Sequence, residues 1–130
     1  MKLLHVMIVL GSLMPGGAMA DQVNLAFGGD AYAAGQTATL SQPVARDAFA
    51  AGFTVALGAP VSGSAHLAGY TVSAAADVGG DLYAAGFAVT VTGAIGGDLT
   101  AMGNSVTLGG TAPIAGNARL AGASLVVDTP

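Results

Sequence analysis

The residues able to do chemistry are few. The 130-residue chain has seven aspartates, no glutamate, no cysteine and two histidines, of which only His66 lies beyond the first twenty residues. Asp30, Asp47, Asp81 and Asp98 share one register in steps of 17, with Ser64 between them and Asn117 after a final step of 19. Stacked about 5 Å apart, such carboxylates repel one another, and a divalent cation can bridge them. The competing use is structural, because Asp, Ser and Asn all accept hydrogen bonds from backbone amides at turns. Ser64 and Asn117 in the same column favour that second use. The GGxGxD repeat of nine-residue calcium-binding coils is missing. No metal site and no cofactor are therefore expected.

Two aromatic columns follow the same period. Tyr32, Phe49, His66 and Tyr83 form one, and Phe53, Tyr70 and Phe87 the other. Aromatic ladders can seat a glycan, which makes an envelope glycan a candidate ligand. Cross-coil stacking alone, worth roughly 0.5 to 1.5 kcal/mol per pair, accounts for them equally. A third array, Thr37/Thr39, Thr54, Thr71/Ser73, Thr90, Ser105/Thr107 and Ser124, resembles the flat threonine faces that order water in ice-binding β-helices, although Ala56, Ala88 and Val126 interrupt it. Threonine is also simply a good residue for a solvated strand face. No Ser-His-Asp set or His/Cys cluster is available, and the loops are too short to wall a carboxylate-lined groove, so no catalytic residues are expected and the chain is not read as an enzyme.

The elements that position these residues come from the repeat itself. Gly35, Gly52, Gly69, Gly86 and Gly103 are each 17 residues apart, and Gly122 follows after 19. Phe27, Val44, Val61, Val78, Ile95 and Ile114 keep the same steps. Within VGGDLYAAGFAVTVTGA (78–94) apolar and polar residues alternate with period two, and glycines break the pattern into two or three short strands. No breaker-free stretch is long enough for a helical repeat. A unit this small buries its apolar side only by stacking on its neighbours. The expected fold is all-β: a single-stranded β-helix, or solenoid, of about six coils of 17 residues. Its repeats run 27–43, 44–60, 61–77, 78–94, 95–113 and 114–127. The inward ladders are then Phe27/Val44/Val61/Val78/Ile95/Ile114, Ala38/Val55/Val72/Val89/Val106/Leu125 and Leu40/Leu57/Ala74/Val91/Leu108/Val127, joined by Ala31/Ala48/Ala65/Leu82/Leu99/Ala118. The two extra residues of the fifth step fall in the turn segment Gly109–Pro113.

The units GGDAYAAGQTATL, GGDLYAAGFAVTV and GGDLTAMGNSVTL resemble the repeats of bactofilins, the polymer-forming bacterial cytoskeletal family. The resemblance covers about residues 27 to 127. It implies a right-handed, roughly triangular β-helix that polymerises end to end without nucleotide.

The first twenty residues read as a secretory signal, with Lys2, an apolar stretch from Leu3 to Met14 and an Ala18-Met19-Ala20 cleavage site. The remaining domain, 21–130, is expected to be exported to the periplasm, the outer surface or the medium, with no membrane span once the signal is removed. Bactofilins are typically cytoplasmic or attached to the inner membrane face, so the resemblance points to an exported relative. The exported chain keeps two arginines against seven aspartates, a net charge of −5. Nothing there neutralises a row of phosphates, and nucleic acid is not an expected partner. The expected function is that of a structural, self-associating scaffold of the cell envelope. Its partner is a second copy, met through the open coil ends at Phe27, Leu40, Ile114, Leu120, Leu125 and Val127, where strand edges and apolar ladders are unpaired.

Overall fold

The computed structural model describes residues 22–110 and 113–128. The signal-like segment 1–20 and the insertion residues Thr111 and Ala112 lie outside them. The ten strands are β1 (Val23–Phe27), β2 (Asp30–Leu40), β3 (Ala48–Leu57), β4 (Ala65–Ala74), β5 (Leu82–Ala85), β6 (Ala88–Val91), β7 (Leu99–Met102), β8 (Ser105–Gly109), β9 (Ala118–Ala121) and β10 (Ser124–Asp128). The described chain is an all-β solenoid of about six turns with 17-residue spacing.

Three lines of parallel pairing hold one coil to the next. One runs through the first half of β2, β3 and β4 into β5, β7 and β9, and a second through their latter halves into β6, β8 and β10. The third is a row of single bridges joining Val44, Val61, Val78, Ile95 and Ile114. Strands are expected to break at the repeat glycine, but β2, β3 and β4 run through it, because Gly35, Gly52 and Gly69 keep their inter-coil partners. From β5 onward the coil is divided there into two strands. The glycine column is required by close approach: a Cβ built on Gly69 collides with the Gly52 carbonyl oxygen and falls 2.9 Å from Val55 Cγ2.

Period-two alternation sends one face of each strand into a narrow core. Val55, Val72, Val89 and Val106 are fully buried, as are Leu57, Ala74 and Val91, and Ala48, Ala65, Leu82 and Leu99. A further inward ladder, Ala33/Ala50/Leu67/Ala84/Ala101, completes the core. Alanine recurs because the chain closes on itself within 17 residues and leaves little width between opposing walls. Fully burying a Val or Leu contributes roughly 1.5 to 3 kcal/mol, repeated from coil to coil.

The N-terminal end departs from the repeat. Phe27 is expected to open the Val44 ladder, but β1 instead runs antiparallel to β2, with Val23 opposite Ala34, Leu25 opposite Tyr32 and Phe27 opposite Asp30. The cause is the Gly28–Gly29 pair, with φ of 54° and 93°. Two successive positive-φ residues reverse the chain as a two-residue hairpin. The first coil therefore starts at Asp30, not at residue 27.

Candidate functional site

The aspartate column is a hydrogen-bond ladder along one edge of the solenoid. Asp30 Oδ1 accepts the Asp47 amide at 3.0 Å, and Asp47 Oδ1 accepts the Ser64 amide at 2.9 Å. Ser64 Oγ accepts the Asp81 amide at 3.1 Å, Asp81 Oδ1 the Asp98 amide at 2.8 Å, and Asp98 Oδ1 the Asn117 amide at 2.9 Å. Each side chain thus satisfies a turn N–H of the next coil, a task that a carboxylate or a hydroxyl performs alike. The glycine before Asp makes room for it, since a Cβ on Gly97 collides with Asp81 Oδ1. In the second coil Arg46 takes that position, with its Nε 3.8 Å from Asp30 Oδ1.

The aromatic columns are continuous outward ladders. Centroids lie 4.9 to 5.0 Å apart from Tyr32 through Phe49 and His66 to Tyr83, and the ring planes are within 10° of parallel. Phe53, Tyr70 and Phe87 stack with the same spacing. Within each ladder the ring faces cover one another and the edges meet solvent, so the interior rings offer no open face to a flat sugar. Beside the first ladder an apolar groove of about 770 Å³ runs over the alanines Ala34, Ala51, Ala68 and Ala85, from Val23 and Leu25 at one end to Met102 at the other. On another face Thr37, Thr54, Thr71, Ala88, Ser105 and Ser124 align in register, as do Thr39, Ala56, Ser73, Thr90, Thr107 and Val126.

The predicted coil-end residues do not form two equivalent rims. At the N-terminal end Leu40 is only 5% exposed and Ala38 and Ala33 are buried, which corrects the expectation that Leu40 lies on an open end. Two features cover this end. Strand β1 extends one wall beyond the first coil, and the Gln22 side chain stands in for a missing strand over another. Its Oε1 accepts the Thr39 amide at 2.8 Å and its Nε2 donates to the Thr39 carbonyl at 2.7 Å. Phe27 belongs to β1, half-buried on the outward side with Leu25 and Tyr32.

Among the described residues the C-terminal end carries no such cover. Leu125 and Val127 head ladders that are otherwise buried, yet they are 47% and 59% exposed. Every residue of β10 is exposed, and of β9 only Leu120 is half-buried. Ile114 and Leu120 pack against the core from the last coil. The Gln22 cap and the β1 hairpin escape a search for repeats, although the alternation of VNLAF before Gly-Gly is itself a hairpin signal.

No protein-family model, curated protein or solved structure matches the chain.

Proposed function

We propose that this protein is a self-associating β-solenoid scaffold of the bacterial cell envelope, an exported relative of the bactofilins that meets further copies through its C-terminal coil. The observation carrying this reading is the contrast within single ladders: valines and leucines that are fully buried in interior coils end in Leu125 and Val127, about half exposed. An apolar ladder end beside unpaired strand edges templates another strand. The outward aromatic and threonine columns then serve as packing and solvated faces along the shaft.

Light scattering on the purified chain from Asp21 onward tests this reading. Assemblies larger than one subunit are expected, and Leu125→Lys with Val127→Lys is expected to reduce them to single subunits without loss of β-sheet circular dichroism. A wild-type chain that stays monomeric at high concentration would refute it. Export is checked separately by cell fractionation and by N-terminal sequencing, which is expected to begin at Asp21.

A further inference from the structure

We infer that the groove beside the first aromatic ladder binds one long-chain fatty acid, with its hydrocarbon along the alanine column and its carboxylate at Arg119. The inference is independent of how copies of the chain associate. The floor is a single file of methyl groups, Ala34, Ala51, Ala68 and Ala85, which the coil register sets one above the next. Along one side stand the stacked rings from Tyr32 to Tyr83, two residues earlier on the same outward face. Val23, opposite Ala34, closes the N-terminal end with Leu25, and the half-exposed Met102 stands at the other. At about 770 Å³ the groove is of ligand size.

The mouth follows from the same register. The ring column continues from Tyr83 to Thr100, where the ridge falls to a short side chain, and then to Arg119. Arg119 is exposed and makes no salt bridge among the described residues, whereas Arg46 faces Asp30. In a chain that keeps two arginines against seven aspartates, a free cation beside the open end of an apolar groove marks where an anionic head belongs. Length agrees with this. From Ala34 to Met102 there are four coil steps of about 4.8 Å, or about 19 Å. Carbon–carbon bonds of about 1.5 Å at near-tetrahedral angles advance about 1.25 Å each, so a chain of about sixteen carbons spans the groove.

Other occupants fit less well. A peptide laid along the groove crosses the coils at right angles to their strands, and its N–H and C=O groups need partners. The floor offers none, because its backbone groups are spent between coils. A sugar meets the same difficulty with its hydroxyls, whereas hydrocarbon needs no hydrogen bonds. A floor one alanine wide holds one acyl chain and not the pair of a diacyl lipid.

Displacement of the fluorescent polyene acid parinarate from the chain beginning at Asp21 tests this. Each methylene fully removed from water is worth about fourfold in affinity, and a groove open on one side covers about half of it. The series decanoate, laurate, myristate, palmitate is therefore expected to tighten by roughly fourfold for each two carbons. Ala68→Trp fills the middle of the groove from an exposed position, and is expected to weaken palmitate at least tenfold with the β-sheet circular dichroism unchanged. Arg119→Gln is expected to weaken palmitate about threefold to fivefold and to leave uncharged hexadecanol unaffected. The variant with Leu125→Lys and Val127→Lys is expected to bind as wild type does, which separates this site from self-association. Failure of parinarate to bind, affinity independent of chain length, or undiminished palmitate binding by folded Ala68→Trp would overturn the inference. So would a change in the sedimentation of Ala68→Trp without fatty acid, which would mean that a second copy covers the groove. Equal loss of palmitate and hexadecanol in Arg119→Gln would overturn the placing of the carboxylate.

Discussion

Replacing Asp81 separates the two uses open to the aspartate column. Its Oδ1 accepts the Asp98 amide at 2.8 Å, and Asp81→Ala leaves that amide to water. A hydrogen bond to a charged acceptor is worth about 1.5 to 3 kcal/mol, and water reaching this half-buried edge recovers part of it. Against the loss stands relief of repulsion between Asp81 and Asp98. At about 5 Å the Coulomb term runs from about 1 kcal/mol in bulk water to about 3 kcal/mol at an effective dielectric of 20. Salt screening at this edge favours the lower figure. The expected net cost of Asp81→Ala is about 1 kcal/mol. Asp81→Asn keeps the acceptor and removes the repulsion, so it is expected to match or slightly exceed wild type. Asp81→Ser copies what Ser64 does one coil earlier. The assay is urea unfolding followed by circular dichroism, with and without millimolar calcium. A calcium-dependent rise in the wild-type midpoint that both Asp81→Ala and Asp81→Asn abolish would refute the ladder and establish a cation site.

The same geometry sets other outcomes. Gly69→Ala drives a Cβ against the Gly52 carbonyl, which as backbone cannot give way, and is expected to cost about 3 kcal/mol or more, read as a fall in the urea midpoint. Gln22→Ala removes both bonds to Thr39 and is expected to accelerate hydrogen exchange at the Thr39 amide, with little change at Val72 in the interior. Tyr70→Ala interrupts the Phe53–Phe87 stack at its middle, forfeiting two pairs worth roughly 0.5 to 1.5 kcal/mol each, and is expected to lower the unfolding midpoint without changing the sedimentation of the assembly.

The interior of the solenoid is legible in the sequence because a stacked repeat turns a sequence interval into a spatial column. Once Gly52, Gly69 and Gly86 are aligned, parity and spacing dictate the burial of Val55, Val72 and Val89 and the stacking of Tyr32 on Phe49. Ser64 likewise marks the aspartate column as turn chemistry, since its hydroxyl accepts the amide of the next coil just as the carboxylates of Asp47 and Asp81 do. The alanine ladder Ala33/Ala50/Ala84/Ala101 is harder to see, because residues that small give no hydrophobic contrast between faces. The ends are not legible by the same logic. A terminal coil lacks one neighbour, so its columns say nothing about the group that replaces that neighbour. Phe27 sits at the right interval from Val44, yet the Gly28–Gly29 reversal lies between them and wins, because two positive-φ residues turn the chain whatever the register of the next strand. Spacing alone puts Leu40 on an open rim for the same reason, whereas the upstream Gln22 closes that rim through Thr39.

Sedimentation velocity on the chain from Asp21 to Pro130, at concentrations rising from about 1 to 500 µM, tests the proposed association most directly, since that range spans Kd values from micromolar to near-millimolar. The expected result is a reversible, concentration-dependent shift from one subunit to larger assemblies, which the double substitution Leu125→Lys and Val127→Lys abolishes. A single species of one subunit across the whole range would contradict it.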